Sequence, residues 1–225
     1  QLNSLSNSLL DAVDVTKATT GQIAGLTTTA VGNLTATQVS AFSAAQVAKL
    51  SADQIAVLTS AEVQAFTTTQ ANALTATQIG ALETTDLQAL TTTVLDGFTS
   101  TQIKGLSTTA VSALSTTQIS TLSTVQFQAL STTQVSGLTA TQIALLETTD
   151  LQALTTTQVA GLSTTQVKAL STTQITDLLD AQAAIGSLHV FLQVLQALDE
   201  VGTVGGKRGA QHLRIGEAEV GRRHR

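Results

Sequence analysis

Apolar positions along this chain recur with a period of eight. From Leu26 to Leu178 every eighth residue is Leu or Phe, running Leu26, Leu34, Phe42, Leu50, Leu58, Phe66 and onward to Leu170 and Leu178, nineteen octads without a break. Five residues after each comes a second apolar series, Val31, Val39, Val47, Ile55 and Val63, then Ile79 through Ile175, with Ala71 as its smallest member. Ser, Thr and Gln fill most of the space between. The residue before each Leu is usually small, as at Gly25, Ala41, Ala89, Gly105 and Gly161. The consensus reads L-[ST]-x-T-Q-[VI]-x-[AG].

No continuous element accommodates this period. At about 100° per residue, eight residues carry an apolar stripe roughly 80° around a helix, so it would circle the helix within four or five octads. In an uninterrupted strand the odd spacings of five and three would put Leu and Val on opposite faces. A short helix broken once per octad satisfies both constraints, and the break carries its own chemistry. Ser or Thr follows the Leu in seventeen of nineteen octads, from Thr27 to Ser171, with Glu83 and Glu147 as the exceptions. Three residues later stands Gln, Glu or Asp in sixteen, the exceptions being Ala30, Val94 and Ala110. This is the capping box: the hydroxyl accepts from the N3 peptide N–H, and the N3 side chain accepts from the N-cap N–H. One match carries little weight; recurrence in phase with the apolar repeat carries much more. The pattern therefore predicts an all-α chain, a solenoid or superhelix of short capped helices, one per eight-residue repeat. The alternative is a Thr-rich β-solenoid with bends that reset the faces. Thr and Val favour strands, whereas Ala, Gln and the capping boxes favour the helix.

A longer period is superposed. Residues 74–90 read LTATQIGALETTDLQAL and residues 138–154 read LTATQIALLETTDLQAL, so Glu83 and Glu147 stand eight octads apart. Growth by block duplication is tolerated where each unit contacts mainly its neighbours, as in solenoids.

The domain reading follows the phase. Residues 1–178 form the octapeptide-repeat solenoid, whose first octads (LNSLSNSL, LDAVDVTK, ATTGQIAG) keep the period but not the consensus. Gln1 is already in phase, which reads as a processed product or a piece of a longer array. After Leu178 the octad stops, and Leu179, Ala181, Ala184, Ile185, Leu188, Phe191, Leu195 and Leu198 fall at helical spacing. Residues 179–201 are expected to form a C-terminal capping helix, started by Asp177 or Asp180 and stopped at Gly202. Residues 202–225 form a basic, Gly-containing tail.

Composition narrows the chemistry. The chain has no Cys, which excludes a disulfide framework and any Cys-based site. No apolar run approaches the roughly 18 residues that a membrane span needs. Residues 1–201 carry four Lys against thirteen Asp or Glu, a net −9, whereas the tail carries six Lys or Arg against two Glu, a net +4; the whole chain is −5.

No constellation suggests catalysis. Glu83 with Asp86 and Glu147 with Asp150 are the recurrent acidic pairs, but calcium needs about six oxygens and no dense acidic loop supplies them; acids in a first helical turn suit its dipole. His189 lies on the expected capping helix without a metal partner near it in sequence, and His212 and His224 lie in the tail. The segment GTVGGKRG fails as a phosphate loop, because the required first Gly is Val201 and Arg208 follows Lys207 in place of Ser or Thr. No His or Lys stands at fixed spacing to activate the many hydroxyls. The sequence therefore predicts no catalytic, cofactor-binding or metal-binding residue, and no enzyme. Nucleic acid is not an expected partner, since the repeat body is acidic and the tail lacks stacking aromatics.

Two resemblances stand on quoted residues. The opening L-T-x-x-Q-V is similar to that of the repeats of DNA-reading bacterial effectors of the TAL type, but those repeats are about four times longer and carry base-reading loops, so the likeness implies capping chemistry only. The run LSTTQVSGLTATQIALLETTDLQALTTTQVAGLSTTQVKALSTTQI resembles the short Thr-rich tandem repeats of large bacterial surface and secreted proteins. That resemblance covers residues 18–178 and implies a structural role outside the cell or on its surface, with no functional residue to carry over.

Energetics point the same way. Burying Val and Leu yields about 1.5–3 kcal/mol each and a cap about 1 kcal/mol, against roughly 8 kcal/mol or more to order eight backbone units. A lone octad loses, so only a stack is stable, and association between chains adds burial. The expected function is a structural element, a self-associating head-to-tail filament or rigid spacer; the alternative is a scaffold that binds a protein or glycan through the variable position after Val.

Overall fold

The structure, a computed structural model, describes residues 14–184. Among them are twenty α-helices and one 3-10 turn, Val15–Lys17, and no strand. The helical reading holds and the β-solenoid alternative does not. Each helix occupies one octad and spans four to six residues, apart from the last, Thr172–Ala184.

Helices this short are not stable on intrinsic propensity; their ends are built by the consensus. At Ser51 the hydroxyl accepts from the Gln54 peptide N–H at 3.1 Å, and Gln54 Oε1 accepts from the Ser51 N–H at 2.7 Å. The same reciprocal pair recurs at Thr35–Gln38, Ser43–Gln46, Thr99–Gln102, Ser123–Gln126 and Ser163–Gln166. Where N3 is Ala30 or Ala110, only the hydroxyl half forms. The helix is closed by the Leu. Leu74 is extended (φ −64°, ψ 137°) and the following cap Thr75 is extended too (φ −76°, ψ 162°), so two successive β-region residues turn the chain into the next helix.

Three residues per octad face inward. The Val/Ile position is fully covered at Val31, Val39, Ile55, Ile79 and Ile103, the Leu/Phe position is buried nearly throughout, and the N3 Gln is buried between them. The cap and N2 residues are exposed, and the N1 and pre-Leu residues are mostly half-buried.

The chain divides between Gly137 and Leu138 into two compact units. In the first, each helix packs against the third helix along: Ala52–Ala56 on Ala76–Ala81, Ser60–Gln64 on Thr84–Ala89, Ser100–Gly105 on Thr124–Ala129. In the second, Ala140–Ala144 packs on Thr164–Ala169 and Thr148–Ala153 on Thr172–Ala184. The stack therefore winds upon itself within each unit, and one octad is covered by others of the same chain. Where glycine stands at or opposite the pre-Leu position, this approach is close. A Cβ on Gly105 would lie 2.8 Å from the Ala76 Cα and closer still to its carbonyl oxygen, and one on Gly80 would lie 2.9 Å from the Gly105 carbonyl oxygen.

The end of the array departs from expectation. The terminal helix starts neither at Asp177 nor at Asp180. It opens at Thr172 with the ordinary Ser171–Gln174 box and runs through Ala184. The octad break after Leu178 needs a hydroxyl cap, and residue 179 is Leu. The rest of the expected capping helix, the tail 202–225 and residues 1–13 lie outside the described residues.

Candidate interaction surface

The N3 glutamine performs a second task that its capping role does not reveal. While Oε1 accepts from its own N-cap, Nε2 donates to backbone carbonyls 28 to 31 residues upstream. Gln54 reaches Leu26 O at 2.6 Å, Ala24 O at 3.3 Å and Ile23 O at 3.4 Å. Gln70 reaches Val39, Ser40 and Phe42; Gln118 reaches Leu87, Gln88 and Leu90; Gln126 reaches Leu95, Asp96 and Phe98. In the second unit Gln166 donates to Leu138 O at 2.7 Å and Gln174 to Leu146 O at 2.8 Å. These acceptors are the carbonyls that a helix C-terminus leaves unpaired. One side chain thus serves both the N-terminus of its own helix and the C-terminus of the helix four octads before it.

The acidic N3 residues break this ladder in two ways. Glu62 is buried and completes its own box, Oε2 accepting from the Thr59 N–H at 2.6 Å. A carboxylate has no N–H, so it offers nothing to the Val31 and Leu34 carbonyls 31 and 28 residues upstream. Asp86 is buried and shorter. It accepts from the Glu83 N–H at 3.1 Å and from the Ser60 hydroxyl at 2.9 Å. The Glu83–Asp86 pair is thereby a cap with a cross-strut, one member exposed and the other inside. Glu147 and Asp150 take the same two positions, exposed and buried. Among the described residues no group of three or more His, Asp or Glu is gathered as a metal site requires. His189, His212 and His224 lie outside the described residues.

The outward surface is hydroxyl-rich and sparsely charged. The one ion pair among the described residues joins Lys17 Nζ to Asp14 Oδ2 at 3.3 Å. Hydrogen bonding from the Thr16 hydroxyl, then from Lys17, holds the Asp14 carboxyl below its ordinary range. The variable position after Val meets the pre-Leu position 25 residues on, as Gly32 meets Val57 and as Gln88 Nε2 donates to Ala113 O at 2.6 Å. Gln64, Lys104, Gln128 and Lys168 at that position are exposed. Large exposed apolar side chains are Val57, Val125 and Leu145. No helix among the described residues is long and apolar enough to cross a membrane.

The ladder had a sequence signal. Of the sixteen polar N3 residues, thirteen are Gln, two Asp and one Glu. A carboxylate suits a helix N-terminus better than an amide, so the near-exclusive use of Gln marks a need for the amide as a donor.

The ALTTAQ repeat family model matches three segments of the chain, residues 38–68, 79–116 and 143–179. Together they span just under half of it, and the matches support a tandem repeat region. No curated protein and no solved structure matches.

Proposed function

We propose that this chain is a structural repeat protein that associates with itself, head to tail, into a filament or rigid spacer outside the cell or on its surface, and that it turns over no substrate. The observation that carries this reading is the modular contact. Most octads meet their neighbours through the same elements: a glutamine amide on carbonyls 28–31 residues away, a small residue against a helix, and Val and Leu inside. A contact that repeats unit after unit within a chain is chemically available between chains, and when its two sides lie on different surfaces it propagates. Many polar side chains of the repeat serve structure: cap hydroxyls hold peptide N–H groups, Gln holds carbonyls, and Asp86 accepts from Ser60.

Sedimentation velocity of the purified chain, with electron microscopy beside it, tests the proposal. Growth of assembled species with concentration, visible as filaments, is expected. A monomer at every concentration and salt level overturns it, and a monomer that captures a defined protein or glycan assigns the chain to the scaffold class.

A further inference from the structure

We infer that the junction between Leu82 and Glu83 is a joint at which the first compact unit opens locally, before the rest of that unit unfolds. The joint belongs to a single copy and stands whether or not copies associate.

Each rung of the glutamine ladder ties an N3 side chain to carbonyls 28 and 31 positions upstream, so four consecutive rungs span any junction between octads. At Leu106–Ser107 these rungs start at residues 110, 118, 126 and 134, and three of them are amides, Gln118, Gln126 and Gln134. At Leu50–Ser51 they start at residues 54, 62, 70 and 78, and again three are amides. At Leu82–Glu83 they start at residues 86, 94, 102 and 110. Val94 and Ala110 carry no side-chain donor, and the Asp86 carboxylate accepts from Ser60 and from the Glu83 N–H instead. Gln102 alone reaches back across this junction, to Ala71 O at 2.8 Å and Leu74 O at 2.9 Å. Every other junction from Phe42–Ser43 to Leu106–Ser107 keeps two or three amides.

What remains across Leu82–Glu83 is mostly apolar packing. Helix Ser60–Gln64 lies on Thr84–Ala89, and Ala76–Ala81 lies on Ser100–Gly105. The Ser60 hydroxyl adds one bond to Asp86 Oδ1 at 2.9 Å, where a Gln at that position would supply two or three. The caps beyond the junction are weaker as well: at Thr91 and Ser107 only the hydroxyl half of the box forms, because Val94 and Ala110 cannot return the bond. Apolar burial is non-directional, so packed helices without directed bonds between them part more readily. In an array stabilised neighbour by neighbour, the segment with the fewest such bonds opens at the lowest free energy. In a spacer, that segment sets where the chain yields first under load.

Native-state hydrogen exchange of the full chain, corrected for intrinsic rates and read by segment, tests the joint in the wild type, Gln102→Glu and Ala110→Gln. In the wild type, residues 84–96 should exchange at least about tenfold faster than residues 116–135, the factor that two missing bonds of ordinary net strength produce. Gln102→Glu keeps the acceptor for the Thr99 N–H and removes the last amide, so exchange should rise at residues 76–82 and 84–90 together, on both sides of the junction. Ala110→Gln supplies a donor in register with the Ile79 and Leu82 carbonyls and should slow exchange in the same two segments; the Gln102→Glu arm needs no added volume. Gln126→Glu, whose rung ends at Leu95, Asp96 and Phe98, controls for the added carboxylate and should leave both segments unchanged. Equal protection of residues 84–96 and 116–135 in the wild type overturns the joint, as does a Gln102→Glu variant whose extra exchange is confined to helix Ser100–Gly105. Self-association is read separately, by sedimentation.

Discussion

Gln54 holds Leu26 across 28 residues of chain: its Nε2 donates to the Leu26 carbonyl at 2.6 Å while its Oε1 accepts from the Ser51 N–H at 2.7 Å. Both atoms of one amide are used, one within the octad and one between octads. Local helix formation and long-range winding are coupled through a single side chain, and the two halves can be separated by substitution.

Gln118→Glu separates them. It keeps an acceptor for the Ser115 N–H but abolishes donation to Leu87, Gln88 and Leu90. Loss of the donor alone is expected to cost about 1–3 kcal/mol, and Gln118→Ala should cost more because the cap goes too. Hydrogen exchange read segment by segment is the suitable measurement, since long repeat arrays do not unfold as one cooperative unit. Lowered protection is expected both at residues 115–122 and at 87–90; a loss confined to the first segment would contradict the ladder.

Glu62→Gln restores a missing rung. The amide would reach the Val31 and Leu34 carbonyls and remove a buried carboxylate, keeping the Thr59 cap. A gain of about 1 kcal/mol is expected, seen as a higher denaturation midpoint; an unchanged or lower midpoint would show that the rung at this octad contributes nothing.

Two glycines should respond with opposite signs. Gly105→Ala places a methyl group against the Ala76 carbonyl and Cα, and should destabilise by about 1–3 kcal/mol through forced displacement of packed backbone. Gly21→Ala adds a methyl with only the Thr19 hydroxyl near, at 4.0 Å, inside helix Thr20–Ala24, and should stabilise by about 0.5–1 kcal/mol through helix propensity. Urea or thermal denaturation distinguishes the two, and equal effects would contradict the close approach of the helices.

Ser163→Ala removes a cap hydroxyl whose partner, the Gln166 N–H, lies 3.2 Å away, at an expected cost of about 1 kcal/mol. Adding Gln166→Ala removes the return bond and also the bond to Leu138 O, so the double variant should lose about 2–3 kcal/mol. A double variant no worse than Ser163→Ala in exchange protection at residue 138 would argue that Gln166 acts only as a cap.

Much of this fold was legible in the order of residues. Thr35 and Gln38, three apart and in phase with Val39 and Phe42, specify a helix start and its inward face by contacts that span a single turn, and the small residue at Gly105 is part of the repeat. What Gly105 approaches, and where the Gln amide goes, was not legible. Val39 to Gln70 spans 31 residues and Phe42 to Gln70 spans 28, and neither is a multiple of the eight-residue period. Those distances depend on how many octads complete one wind, which is set by the two extended residues at each corner, such as Leu74 and Thr75, and by how closely each helix settles on the third helix along. The same geometry decided that Glu62 would face carbonyls it cannot serve and that Asp86 would find Ser60. Capping is local and was therefore determined by sequence; the partner of each cap's free amide is a property of the winding, which only the packed chain decides.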